Sequence, residues 1–225
     1  MAEDTKERVK EIIRILKQTY PNARTSLNFE NPFQLLIATI LAAQSTDKKV
    51  NEVTATLFKK YPTPAAFANA DPRELENDIH ATGFFRQKTK SVIEASQDIV
   101  NVYGGKVPDT MEELTSLRGV GRKTANVVLG NAFGKPTGIV VDTHVLRVSG
   151  RLILTNPKYA EKKEADKVEQ DLMEIVPKED WTIFSHLLIF LGRDICTARN
   201  PKHDICPILH LCPYGTRRIQ GLPPK

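Results

Sequence analysis

Lys123 and Asp142 are the residues of this chain best placed by type and spacing to do chemistry. Lys123 follows Leu117-Arg118-Gly119-Val120-Gly121, which reads as a tight hairpin between two short helices. Gly119 and Gly121 are expected to supply backbone conformations and close approaches that a side chain would block. Arg122 and Lys123 then open the second helix, where backbone N–H groups lack partners and the dipole is positive. Such a hairpin can hold a phosphate, with a bound cation helping. After a loop carrying Gly134, Pro136 and Gly138, an apolar run ends abruptly at Asp142. A hairpin that grips a backbone, an amine at a helix start and a carboxylate beyond a loop point to chemistry on nucleic acid.

The chain has three cysteines, Cys196, Cys206 and Cys212, all in one C-terminal stretch that also holds His203 and His210. So few, so clustered, they speak against disulfide stapling and for a metal site. The net charge of +5 mildly favours a polyanionic partner. The N-terminus, Met1-Ala2-Glu3-Asp4, is acidic and has no apolar signal core. The longest apolar stretch, Trp181 to Leu191, is broken by Ser185 and His186 and is too short to span a bilayer. The expectation is a cytoplasmic, nucleoid-associated protein with no membrane contact.

The elements that must position these residues are all helical. Val9, Ile12, Ile13 and Leu16 mark a one-faced helix over 5–20, ended by Pro21. Asn31-Pro32 caps and opens a buried helix that breaks at Gln44, and Ser45-Thr46-Asp47 restarts the next. Asp71 with Glu74 and Thr110 with Glu113 form capping boxes. Thr82-Gly83-Phe84-Phe85 is a loop before a helix closed by Gly104-Gly105. Asp142 caps another, and two more are expected at 160–175 and 179–193. No strand pattern and no repeat is evident, so the fold class is all-α. The break from Phe133 to Pro136 is the best internal boundary. It divides the chain into residues 25–135 and residues 1–24 plus 136–225, with Lys123 and Asp142 expected to face each other across a cleft.

Leu117–Leu129, Val141-Asp142-Thr143-His144, Ala42-Ala43-Gln44-Ser45-Thr46-Asp47 and the cysteine cluster, in that combination, resemble the endonuclease III family of helix-hairpin-helix DNA glycosylase/AP lyases. The similarity runs over about residues 5–215. It implies a two-domain glycosylase fold: a six-helix barrel domain (25–135) carrying the hairpin at about 110–131, and an iron–sulfur-type helical domain (1–24 plus 136–225) with its cluster loop at 196–212. It implies a monomer that binds double-stranded DNA, removes oxidised or ring-damaged pyrimidines and cleaves the abasic site. A stacked base cannot be attacked at its sugar, so the nucleotide must be turned out of the duplex.

The resemblance assigns roles residue by residue. Lys123 is the nucleophile that forms a Schiff base with the sugar, which requires a neutral amine. Asp142 stabilises the positive sugar and assists proton transfer, besides capping its helix. Gln44 enters the stack beside the orphaned base. Phe84 is the intercalating wedge, with Phe85 the alternative. Gly119, Gly121, Arg122, His144 and Lys202 contact the DNA backbone, and Lys48, Arg86, Lys88, Lys90 and Arg193 are further basic candidates. Cys196, Cys206 and Cys212 match the first, third and fourth cysteines of a [4Fe–4S] motif, and His203 stands at the second position. Imidazole can replace thiolate on iron. A Cys3His zinc site or a metal-free loop remain alternatives, with His210 a spare ligand. A monofunctional adenine or thymine mismatch glycosylase shares this fold but generally lacks the amine. A non-catalytic helix-hairpin-helix module would need neither Lys123 nor Asp142.

Overall fold

Val9, Ile12, Ile13 and Leu16 lie on one stripe of the first helix, α1 (Ala2–Thr19), and all four are buried. The computed structural model describes residues 2–222, and among them every regular element is helical. The chain divides into two compact units, one formed by Met1–Arg24 with Gly138–Lys225 and the other by Thr25–Thr137.

The continuous unit holds α2 (Pro32–Leu41), α3 (Asp47–Lys60), α4 (Pro64–Ala68), α5 (Pro72–Ile79), α6 (Phe85–Asn101), α7 (Met111–Ser116) and α8 (Arg122–Ala132). Local sequence sets most of these starts. Asn31, Thr46, Thr63, Asp71 and Thr110 each accept a hydrogen bond from the first turn of the helix they precede. α2 is buried on nearly every side and forms the centre of the core with Leu75, Ile79, Val92, Ile99, Leu114 and Val128. Phe67, on the short α4, is fully buried with its ring edge-on to Phe33 at 5.6 Å.

The discontinuous unit holds α1, α9 (Thr143–Arg151), α10 (Pro157–Glu161), α11 (Ala165–Ile175), α12 (Trp181–Asp194) and α13 (Pro213–Ile219). Long-range polar contacts hold α1 to the later part of the chain. Arg8 Nη1 donates to the carbonyls of Leu152 (2.8 Å) and Leu211 (3.1 Å), and Lys17 pairs with Asp180 at 2.6 Å. The single helix expected over 160–175 is two. Lys163 adopts a left-handed conformation (φ 58°), and Glu164 N donates back to Tyr159 O at 2.9 Å. Asn156-Pro157 starts the extra helix with the same cap-and-proline signal as Asn31-Pro32. α10 approaches α9 at Gly150, where a Cβ would lie 2.8 Å from Ala160 Cβ. No helix among the described residues is long and apolar enough to cross a membrane.

Phe67→Ala is expected to destabilise the protein by about 3–5 kcal/mol, the usual cost of emptying a buried aromatic site. A urea denaturation midpoint, read by far-ultraviolet circular dichroism, measures it; a loss under about 1 kcal/mol would mean the neighbours of α4 collapse into the cavity.

Candidate active site

The glycine hairpin joins α7 to α8. Leu117 and Val120 anchor it in the core, and Val120 N donates to Leu117 O at 3.1 Å. Between them Gly119 has φ 76°, and a Cβ there would lie 2.7 Å from both Cβ and Oγ of Ser91 on α6. Glycine is therefore required twice at this position, for its backbone angle and for its contact. Gly121 is different. Its φ is −93°, which any residue adopts, and nothing lies within 4 Å of where its Cβ would be. The expectation that the fold itself needs both glycines is corrected: only Gly119 is needed internally. Gly121 precedes α8 and has no side chain with which to cap it. Lys123 sits in the first turn of that helix and is exposed, as is Arg122.

Asp142 ends the apolar run Ile139–Val141 and caps α9. Its Oδ1 accepts from His144 N and Val145 N, both at 2.8 Å, which fixes the carboxylate at the helix start. His144 is half-buried and shares a contact of 3.1 Å between its Nδ1 and Arg147 Nη2; burial pulls its pKa below the usual histidine range. Arg147 in turn donates to Gly192 O at 2.8 Å and Cys196 O at 3.1 Å. His186, noted in the sequence only as a break in an apolar run, also feels Asp142. Burial pushes its imidazole down to about 4, with Arg193 acting in the same direction and Asp142 against it. The carboxylate therefore lies near His144 and Arg147 of α9 and His186 of α12. Nothing in the local sequence around His186 signals this grouping.

Gln44 and Phe84 share an unusual backbone state. Gln44, just beyond α2, has φ 54°, and Phe84, just before α6, has φ 48° and ψ 30°. A left-handed conformation costs a non-glycine residue about 1–2 kcal/mol, and such outliers concentrate at functional sites. Phe84 is 65% exposed, whereas Phe85 is half-buried with its ring 4.5 Å from that of His80. An exposed phenyl on a strained turn suits insertion; a packed one does not. Lys88 is a correction. It was grouped with the surface bases, yet it is only 4% exposed and donates to Leu41 O and Thr82 O. Its signal was present in the sequence, because Lys88 continues the stripe of Val92, Ala95 and Ile99 that faces the core.

The cysteine loop follows α12. Arg151 Nη1 donates to Cys196 Sγ at 3.2 Å, and Gly215 N donates to Cys212 Sγ at 3.3 Å. Burial raises the Cys206 thiol to about 11 and also raises Cys212. Such thiols stay protonated unless a cation displaces the protons. A Cβ at Gly215 would lie 3.2 Å from His203 Nδ1 and 3.5 Å from Cys212 Sγ, so the glycine brings these two donors to one spot. Burial pulls the His203 imidazole below the usual histidine range, which favours the form with a lone pair for a metal. Among the described residues no three His, Cys, Asp or Glu side chains converge as they would on a single metal ion. The donor set, with N–H groups directed at two sulfurs, fits an iron–sulfur cluster. Lys202 is exposed, 4.0 Å from Asp194.

Residues 37–178 match the profile of the HhH-GPD superfamily base excision DNA repair proteins, and residues 196–212 match the iron–sulfur binding domain of endonuclease III. The chain is 50% identical over 208 residues to endonuclease III of Synechocystis sp., covering 92% of this chain and 93% of that protein. In structure it is similar to endonuclease III in a non-covalent DNA complex, with a TM-score of 0.87 and 43% identity over 96% of this chain and 98% of the other. It is equally similar (TM-score 0.87, 43% identity, 95% and 98% coverage) to endonuclease III trapped as a covalent intermediate with DNA.

Gly119→Ala is expected to cost about 1–3 kcal/mol of stability, from strain and overpacking against Ser91, whereas Gly121→Ala leaves stability within about 0.5 kcal/mol. Thermal denaturation of the two variants distinguishes them; equal losses would contradict the separation of roles.

Proposed function

The chain belongs to the endonuclease III family of the HhH-GPD superfamily and is a base-excision repair DNA glycosylase and AP lyase, in which we propose that Lys123 is the nucleophile and Asp142 the assisting carboxylate. The observation that carries this reading is an exposed lysine in the first turn of a helix without a side-chain cap, directly behind a hairpin whose Gly119 packs against Ser91 with no room for a Cβ.

The chemistry follows from those positions. With the damaged nucleotide turned out, positive charge develops on the sugar as the base departs with the bonding electron pair. The Asp142 carboxylate, held by two backbone N–H groups, stabilises that charge. The lone pair of Lys123 Nζ bonds to C1′; the C1′–O4′ bond then breaks with its electron pair going to O4′, which takes a proton from the nitrogen, so the ring opens to a C4′ hydroxyl and a protonated Schiff base remains. The iminium acidifies the adjacent C2′ proton. A base removes it, the C3′–O bond breaks, and the 3′ phosphate leaves with the electron pair. Water then hydrolyses the imine and frees the amine.

Gln44 and Phe84 are assigned to the DNA stack, Gln44 beside the orphaned base and Phe84 as the wedge, supported by their exposure and strained turns. The amides of Arg122 and Lys123 with Gly119 and Gly121 grip phosphate. Gly121 then earns its place toward DNA, since a backbone without Cβ permits the closest approach. His144, Arg122 and Lys202 add backbone contacts. The substrates are oxidised or ring-damaged pyrimidines in duplex DNA, handled by a monomer.

Cys196, His203, Cys206 and Cys212 are assigned as the ligands of a [4Fe–4S] cluster. A bound cluster would cross-link the 196–212 loop, and Arg151 would stabilise the Cys196 thiolate. The loop then presents Arg199 and Lys202 to phosphate.

Borohydride reduction on an abasic duplex is expected to trap a covalent adduct with intact protein and none with Lys123→Ala. Asp142→Asn keeps a competent helix cap while removing the charge, so base excision should fall at least about a hundredfold with little change in stability. Full-rate excision by that variant, or an adduct from Lys123→Ala, would reverse the assignments. Anaerobically purified protein is expected to absorb in the visible, to contain iron and sulfide in equal amounts and no zinc, and to lose iron in His203→Ala. Undiminished iron in that variant would remove His203 from the ligand set.

A further inference from the structure

Lys88 is a charged side chain that the excision chemistry leaves without a role. Its neighbours on α6, Arg86 and Lys90, are exposed, but Lys88 is turned inward. Its Nζ donates to Leu41 O at 2.7 Å and to Thr82 O at 2.8 Å. Leu41 is the last residue of α2, and Thr82 is the last residue of the 3-10 turn His80–Thr82. Both carbonyls stand at helix ends, where acceptors lack backbone partners and a cation is favoured.

Each of these helix ends leads into one of the two left-handed turns. Gln44 lies three residues beyond Leu41, and Phe84 two residues beyond Thr82. One amine thus joins the roots of two loops that come from different parts of the chain. Burying an ammonium is costly, and burial depresses the pKa of this one. Methionine would fill similar volume without that cost. What the amine adds is direction: two hydrogen bonds that fix one loop relative to the other.

Such fixing matters for a pair of inserting side chains. One must fill the gap left by the extruded nucleotide and the other must separate neighbouring bases. Loops that must first be ordered lose affinity to that ordering, and loops already in place do not. We propose that Lys88 is a positioning residue that locks the Gln44 and Phe84 turns into one rigid reader, so that both side chains enter damaged DNA together. This inference rests on the assignment of Gln44 and Phe84 to the DNA stack.

The test uses the full chain as purified with its cluster, and duplexes carrying a tetrahydrofuran abasic analogue opposite 2-aminopurine. Lys88→Met is compared in two backgrounds, the natural sequence and Gln44→Ala/Phe84→Ala. In the natural background it should weaken binding to the analogue duplex by about tenfold or more, leave binding to undamaged duplex within about twofold, and reduce the 2-aminopurine fluorescence of the saturated complex. In the doubly substituted background it should change none of these, because the side chains it positions are gone. The same loss in both backgrounds, or an equal loss on both duplexes, would overturn the proposal. If Gln44→Ala/Phe84→Ala itself leaves lesion binding unchanged, the stack assignment fails and this inference fails with it, a result distinct from additivity. Should Lys88→Met not fold, Lys88→Arg is read against the same two duplexes. Retention of lesion preference by the replacement cation supports positioning, and an equal loss on both duplexes overturns it.

Discussion

An α-helix leaves its first backbone N–H groups and its last carbonyls without partners, and a protein made of many short helices meets that constraint at every turn. In the unit formed by Thr25–Thr137, five of the seven α-helices are closed at their start by an Asn, Asp or Thr side chain. The two without a side-chain cap are α6 and α8. These are the helices that begin at Phe84 and just before Lys123, the residues assigned to wedge and nucleophile. Neither start is closed by the side chain that precedes it, and helix N-termini are where a phosphate is favoured.

The opposite helix ends are served by cations. Lys88 binds the terminal carbonyls of α2 and of the His80–Thr82 turn. Arg8 binds Leu152 O and Leu211 O, Arg147 binds Gly192 O and Cys196 O, and Arg151 binds Thr197 O and Ala198 O. A share of the basic residues is thus spent inside the protein, closing helices and tying loops. Net charge describes the whole surface field, and it does not reveal which cations face DNA. Among the bases of α6, Lys88 lies on the buried stripe while Arg86 and Lys90 are exposed.

Chain order and chemistry also part company. Lys123 belongs to the continuous unit and Asp142 to the discontinuous one, with the boundary between Thr137 and Gly138. Each unit has its own core, and the two groups proposed to react belong one to each. The carboxylate is held rigidly by the helix it caps, and the hairpin before the lysine is held rigidly by Gly119 against Ser91. Rigid support of each group comes from its own unit, which is what precise placement of reacting groups requires.

Local sequence by itself determined the all-helical class, most helix starts and the hairpin, because caps, prolines and glycines act over three or four residues and need no distant partner. It also determined the family, through motifs such as Leu117–Leu129 and Val141–His144. Tertiary structure alone decided the rest. It separated Phe84 from Phe85 by what each packs against, assigned Gly119 its contact with Ser91 and denied Gly121 any such contact. It broke the expected 160–175 helix at Lys163, surrounded Asp142 with His186 and Arg147, and brought His203 beside Cys212 across Gly215. It supplied the partners of Lys88, two carbonyls 6 and 47 residues away. Burial and hydrogen bonding of that kind depend on which segments meet in space, and no window of neighbouring residues contains that information.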